Sequence, residues 1–267
     1  VLGLSAGLAL SPEHGTEAEL LLVSATAALN LSRSEGERRL AVYSPRQPGA
    51  SLRRLTLESQ LRLALQRREL FAVYQPQVAL ADGRLVGLEA LVRWRHPERG
   101  VVPPGEFIPV AEEAGLIAAI GDFMLRESCQ AAVRMHAAGL PRVPVSVNIA
   151  TGQLRRADFL PQVLSELESS GLAPALLEIE ITESMLMADV QSTISLLAAL
   201  RERGVRLAID DFGTGYSSLA YLGRLPLDRL KIDQSFVRDL RVAGPAEGIV
   251  RTVIALARSL RLNTLAE

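Results

Sequence analysis

Val205-Arg206-Leu207-Ala208-Ile209-Asp210-Asp211 is a short apolar run that ends on two adjacent carboxylates. The same form recurs along the chain. Leu176-Leu177-Glu178-Ile179 leads to Glu180, Val143-Pro144-Val145-Ser146-Val147 to Asn148, and Leu85-Val86-Gly87-Leu88 to Glu89. Lys231 lies in Leu230-Lys231-Ile232-Asp233, and Glu267 follows Leu262-Asn263-Thr264-Leu265-Ala266. From Gly105 onward these strand-like runs, at about 143–148, 176–182, 205–210, 228–232 and 262–266, alternate with helical patterns. The helices fall at about 106–116, 121–138, 158–170, 189–203, 217–223 and 245–260. Such alternation predicts right-handed βαβ units and a parallel sheet. Polar groups gathered at the strand C-terminal ends favour a TIM-like α/β barrel over an open sheet.

Working outward, two further strands, 71–80 and 84–94, precede the alternating region, joined by the turn residues Ala81-Asp82-Gly83. Helical periodicity runs from Leu52 to Arg68. Residues 1–46 have their own strand, helix, strand pattern. There Ser11-Pro12-Glu13-His14-Gly15 forms a turn, Thr16 caps a helix reaching about Leu31, and Arg39–Tyr43 is a strand. The prolines and glycine of 45–51 mark a break. The domain division expected is 1–46, a linker at 47–54, and 55–267.

Composition removes several function classes. With 267 residues and 48% hydrophobic content, the chain can build a large core. Its formal net charge of -1 provides no footprint for duplex nucleic acid. No apolar run approaches the roughly 20 residues that span a bilayer. The start, Val1-Leu2-Gly3-Leu4-Ser5, lacks the basic region of a signal peptide. Cys129 is the single cysteine, so no intrachain disulfide exists, and a cytoplasmic setting is expected.

Glu89, Asn148, Glu180, Asp210 and Asp211 form an all-oxygen donor set, which suits the hard cations Mg²⁺ and Mn²⁺. The histidines, His14, His96 and His136, are scattered, which argues against zinc. Adjacent aspartates point to opposite sides of a continuing strand, so both reach one site only where the strand ends. Two metals held there would activate a water and stabilise the leaving oxygen of a phosphodiester. Lys231 among these anions would orient the nucleophile or neutralise developing phosphoryl charge. Each element has an ordinary alternative. Asp210-Asp211 before Gly213 could be a turn, Asn148 a cap, and Glu180 and Glu183 helix-start acids behind Thr182. The glycine-rich Gly213-Thr214-Gly215-Tyr216-Ser217-Ser218 could cradle phosphate or gate the site as a mobile loop.

At these residues the chain closely resembles the EAL-domain family of cyclic di-GMP phosphodiesterases. The resemblance rests on Tyr74-Gln75-Pro76, Glu89-Ala90-Leu91-Val92-Arg93-Trp94-Arg95-His96-Pro97, Pro103-Pro104-Gly105-Glu106-Phe107-Ile108-Pro109 and Ala111-Glu112-Glu113. Ser146-Val147-Asn148, Glu180-Ile181-Thr182-Glu183, the stretch from Asp210 to Ser218, and Lys231-Ile232-Asp233 continue it to about residue 267. It implies a modified TIM (β/α)8 barrel with an antiparallel first strand. The implied reaction is Mg²⁺- or Mn²⁺-dependent hydrolysis of cyclic di-GMP to linear pGpG. Receptors of this family that bind without turnover usually lose a metal ligand, and none is lost here.

By position, the resemblance assigns Glu89, Asn148, Glu180 and Asp210 to a first metal and Asp211 to a second, with Asp210 bridging. Lys231 would contact the attacking water, and Glu267 would be the general base or a second-metal ligand. Arg93 would meet substrate phosphate, with Leu91 and Gln75 lining the substrate. Glu183 would hold the loop of Phe212, Gly213, Thr214 and Gly215, which in the family couples homodimerisation to activity. Two departures stand out. Ile149-Ala150-Thr151-Gly152-Gln153 replaces the family's Leu-Ser-x-x-Gln, and the sequence stops at Glu267, before an eighth strand, so low activity of this piece and a fraying Glu267 are expected. Residues 1–46 resemble the C-terminal end of a GGDEF (diguanylate cyclase-like) domain, through Gly3–Leu10 and Glu13-His14-Gly15. In its helix, Ser24-Ala25-Thr26-Ala27-Ala28-Leu29 lacks the family's aspartate and tyrosine. The resemblance therefore implies upstream GGDEF and sensor domains in a longer parent, with a possible inner-membrane tether.

Overall fold

The computed structural model describes residues 6–34, 40–43, 48–186, 190–213, 222–238, 240 and 245–267. The expected helix at 217–223 and the loop residues Thr214 and Gly215 fall largely or wholly outside them. The first unit pairs β1 (Ala6–Leu8) in parallel with β2 (Leu40–Val42), with α1 (Ala18–Ser34) between them. Helix α2 (Pro48–Arg67) follows and starts before the expected Leu52. Proline fixes φ near the helical value and lacks only an N–H that the first turn leaves unbonded anyway, so Pro48 opens the helix rather than breaking it.

Next, β3 (Leu70–Val78) and β4 (Leu85–His96) form a long antiparallel hairpin, and the short β5 (Gly100–Val102) pairs back onto the end of β4. The turn lies where the sequence placed it. Gly83 takes the left-handed conformation (φ 69°) and the Asp82 carboxylate accepts from the Arg84 amide at 3.0 Å. After α3 (Pro104–Glu113) and α4 (Ile117–Ala137), the chain alternates through β6 (Val145–Asn148), α5 (Thr151–Leu154), α6 (Phe159–Ser170) and β7 (Leu177–Thr182). Then come α7 (Glu183–Leu186), α8 (Val190–Glu202), β8 (Arg206–Phe212), β9 (Arg229–Ile232), α9 (Gln234–Arg238), α10 (Pro245–Ser259) and β10 (Asn263–Ala266). The large sheet runs β10-β9-β8-β7-β6-β4-β3, parallel throughout except for the antiparallel β3. This curled sheet is a partial barrel of the modified TIM type with the antiparallel first strand that the sequence implied.

A two-residue alternation explains what each face does. Leu177, Ile179 and Ile181 of β7, Val145 and Val147 of β6, and Leu230 and Ile232 of β9 are buried in one core. They share it with Leu125 and Cys129 of α4, Phe159 and Val163 of α6, and Leu197 and Leu200 of α8. Each such large apolar side chain contributes about 1.5–3 kcal/mol on burial. The intervening residues face the concave side and are polar: Ser146, Glu178, Glu180, Asp210, Arg229 and Lys231, all buried. Cys129 is fully buried, and burial pushes its thiol up to about 12, which keeps it inert.

Candidate functional site

At the C-terminal ends of the parallel strands, the concave face closes around Lys231. Its ammonium is fully buried and lies 2.7 Å from Glu180 Oε2, 2.6 Å from Glu267 Oε1, 3.1 Å from Asp210 Oδ1 and 3.3 Å from Glu89 Oε2. Strand register brings these groups level. Glu180 is paired with Asn148 across β6 and β7, and Thr182 with Asp210 across β7 and β8. Asn148 donates to Glu89 Oε1 at 3.0 Å, which leaves its amide oxygen as a donor of lone pairs. The N-cap position of α5 is Ala150, so the capping role open to Asn148 is not the one it takes. Nor is Glu180 a helix-start acid, since it sits within β7 with no exposed surface. Glu183 does open α7. The backbone of Glu267 donates to Ile232 O at 3.3 Å and its side chain ion-pairs with Lys231, so it is pinned where fraying was expected.

The two aspartates reach the site by a different device from the strand end expected. Strand β8 continues through them to Phe212, but its pairing with β9 slips between Ile209 and Phe212. Asp210 and Asp211 together oppose the single Lys231, which makes a bulge, and Asp211 adopts a left-handed φ of 53°. Aspartate tolerates that conformation better than most side chains. The bulge breaks the usual alternation, and Asp210, Asp211 and Glu267 all bring an oxygen to one small cluster. Just beyond it, Gly213 has φ 101°, and a Cβ there would meet the Phe236 ring at 3.0 Å.

Electrostatics explains why the site wants cations. Burial alone would lower the Lys231 pKa, but Glu180, Asp210 and Glu89 override it and hold the ammonium charged. Burial pushes the Glu180 carboxyl up to about 8, Lys231 draws it back, and Glu89 and Asp210 add to the rise. Burial also raises Glu267, against the pull of Lys231, and raises Asp211, with Asp210 and Asp233 adding to it. One ammonium among so many carboxylates leaves a net negative pocket. Glu180 Oε1 is buried with no hydrogen-bond partner among the described residues, an acceptor oxygen whose lone pairs no donor uses there. Glu89, Glu180 and Asp210 form one group able to hold a metal, and Asp210, Asp211 and Glu267 a second, with each group's oxygens within 4.8 Å of one another. The donors are all hard oxygens, so the set fits divalent cations of the Mg²⁺ class and shares Asp210 between two positions.

A pH test follows. A carboxyl whose pKa rises on folding is bound to its proton more tightly in the folded state, so stability grows as pH falls through the raised value. In EDTA, the melting temperature is expected to rise between about pH 8, the value for Glu180, and pH 5, near its unfolded value. Mn²⁺ is expected to reverse the trend, because cations compete with those protons. A melting temperature in EDTA that falls steadily from pH 8 to pH 5 would contradict it.

Beneath this layer lies a second one that the sequence reading passed over. Arg229 donates to Gln77 Oε1 at 2.7 Å and to Glu178 Oε1 at 2.9 Å, and Ser146 donates to the same Glu178 oxygen at 2.8 Å. A Cβ at Gly87 would stand 2.4 Å from Gln77 Oε1, so a larger residue there would displace the amide that Arg229 holds. The signal was present as polar residues spaced by two: Ser146 and Asn148, Glu178 and Glu180, Arg229 and Lys231. Asp233 was also missed. It adds to the raised Asp211 pKa and accepts from the Ser235 amide at 3.0 Å.

The expected substrate residues share the concave face of the β3–β4 hairpin, where Gln75 pairs with Glu89, Val73 with Leu91 and Phe71 with Arg93. Arg93 is half-buried and donates to Val92 O at 2.8 Å. Glu183 is buried and its Oε2 has no partner among the described residues.

A family model described as EAL domain matches residues 58–267. The cyclic di-GMP phosphodiesterase NbdA of Pseudomonas aeruginosa is 44% identical over 267 residues, covering 100% of this chain and 34% of that protein. The bifunctional diguanylate cyclase/cyclic di-GMP phosphodiesterase MucR of the same organism is 37% identical over 266 residues, covering 100% of this chain and 39% of that protein. Among solved structures, the PaMucR phosphodiesterase in complex with c-di-GMP superposes with a TM-score of 0.76 and 41% identity, covering 79% of this chain and 85% of that one. The chain thus spans about a third of the length of these curated relatives.

Proposed function

The chain belongs to the EAL-domain family, and on that premise we propose that it hydrolyses cyclic di-GMP to linear pGpG with Mg²⁺ or Mn²⁺. The observation that carries this is the buried Lys231 held by Glu89, Glu180, Asp210 and Glu267, beside a second acidic group that shares Asp210. When bound, divalent cations supply a water nucleophile at neutral pH and a charge clamp for the phosphodiester.

The protein's own groups do the rest. Glu89, Asn148, Glu180 and Asp210 would hold one cation, and Asp210 and Asp211 the other, with Glu267 available to it. Lys231 points its N–H groups into the cluster, where it would orient the attacking water and offset charge growing on the phosphoryl oxygens. Water adds across one P–O bond, and Glu267, whose pKa burial raises, would take the proton it sheds. Arg93 would draw in a substrate phosphate, with Gln75 and Leu91 lining the bound dinucleotide. Glu183 would fasten the loop beginning at Phe212 and Gly213, so that dimerisation through this domain reaches the site.

For residues 1–46 we infer the C-terminal end of a GGDEF-like domain. Supporting it are the separate parallel β1–β2 sheet with its helix and full-length coverage by MucR, named as having both cyclase and phosphodiesterase activities. Upstream cyclase-like and sensor domains, and a cytoplasmic position for this part, belong to the same reading. Among the described residues, no helix is long and apolar enough to cross a membrane.

The test is incubation of the whole protein with cyclic di-GMP and Mg²⁺, followed by nucleotide separation. pGpG is expected, and EDTA is expected to stop its formation. Binding of cyclic di-GMP without any pGpG would replace the enzyme reading with that of a receptor.

A further inference from the structure

The concave face of the β3–β4 hairpin carries apolar side chains that the core does not use. On the opposite face, Leu70, Ala90 and Trp94 belong to the hydrophobic core, and Ala72, Tyr74 and Val92 pack against it. Phe71, Val73 and Leu91 alternate with these, so they face the cavity side, and all three are partly exposed. Arg95 falls on the same row as Glu89, Leu91 and Arg93. Its guanidinium carbon lies 4.7 Å from the centre of the Phe71 ring. Arg95 is exposed, and no ion pair holds it among the described residues. An arginine held over an aromatic ring, with its fork of N–H donors unpaired among the described residues, is a recognition surface that lacks its ligand.

Resting on the cyclic di-GMP reading above, we propose that Arg95 contacts one guanine base of the cyclic dinucleotide and that Phe71 is the positioning residue that fixes the guanidinium plane. Phe71 and its partner Arg93 stand four residues along β4 from Glu89, about 13 Å. That separation places a base beyond the phosphate site along the same wall, past Leu91. The edge of a guanidinium matches the O6 and N7 acceptors of guanine. Adenine presents an N6 donor in place of O6, so the same fork meets a mismatched group. The pair therefore selects guanine as well as holding it.

The test uses the whole protein with Arg95→Ala, Arg95→Lys, Phe71→Leu and the double variant Phe71→Leu/Arg95→Ala. Both residues lie outside the core, so the variants are expected to fold. Arg95→Ala is expected to raise the KM for cyclic di-GMP roughly tenfold, with kcat within about twofold of the parent. Arg95→Lys is expected to stay close to Arg95→Ala, since a point charge lacks the fork. Phe71→Leu is expected to raise KM by a smaller factor, and the double variant to be no worse than Arg95→Ala. Cyclic di-AMP is expected to compete better against cyclic di-GMP in Arg95→Ala than in the parent. An unchanged KM in Arg95→Ala, or full recovery in Arg95→Lys, overturns the inference while leaving the phosphodiesterase reading intact. A parent with no turnover overturns that reading, and this inference with it.

Discussion

Lys231→Met is expected to lower cyclic di-GMP hydrolysis by about 10²- to 10³-fold, the usual loss when a preorganised charge-stabilising donor is removed. Methionine keeps most of the stem volume, so the packing change is small and the loss is one of charge. Stability is expected to fall as well. In EDTA the four carboxylates that surround Lys231 lose the one ammonium they share. Removing one partner of a buried ionic cluster costs about 3–5 kcal/mol. The cost is expected to be larger at pH 8 than at pH 6, because protonation of Glu180 relieves the repulsion. Mn²⁺ should raise the melting temperature of the variant more than that of the parent. Glu89→Ala makes the contrast: it is expected to abolish turnover while relieving rather than worsening the crowding of negative charge. Turnover of Lys231→Met within tenfold of the parent would sink the role given to the lysine.

Arg229→Met is expected to be the most destabilising single change below the site, by about 3–5 kcal/mol. It strands Glu178, which is 1% exposed, and removes the donor of Gln77 at the same time. In a domain of this size that corresponds to a fall of roughly 10 °C in melting temperature. Glu178→Leu/Arg229→Met, which removes both charges, is expected to regain at least half of the loss, because the uncompensated charge is then gone. Thermal melts of the two variants decide the matter. A single variant within about 1 kcal/mol of the parent would mean that water or a neighbouring group already satisfies Glu178.

The sequence made much of this legible because the strands end where the chemistry is needed. Apolar runs closed by Glu89, Asn148, Glu180 and Asp210 marked both the parallel sheet and the acidic cluster, and the turn at Ala81-Asp82-Gly83 marked the antiparallel start. The bulge was not legible. Asp210-Asp211 reads alike whether a strand ends or slips by one residue, and only pairing with β9 distinguishes the two. The lower layer was hidden for another reason. Ser146, Glu178 and Arg229 lie inside apolar runs, and a run read as a block does not reveal that every second residue faces inward. Short elements such as α5, α7 and β5 carry too few residues to show a period. The capping possibility for Asn148 was decided by the geometry of Glu89, a partner 59 residues away that local sequence does not reveal.

The position of Lys231 in the chain carries a consequence for when activity can begin. The lysine meets Glu89 across 142 residues and Glu180 across 51, and Arg229 meets Gln77 across 152. Contacts between such distant segments are assembled late, after the loops between them have closed. On the ribosome, Glu89, Glu180 and Asp210 all emerge before the one cation that reconciles them. A growing or half-folded chain thus carries the acids of the site without its lysine, and the cluster is complete only once the sheet has curled far enough for β9 to arrive.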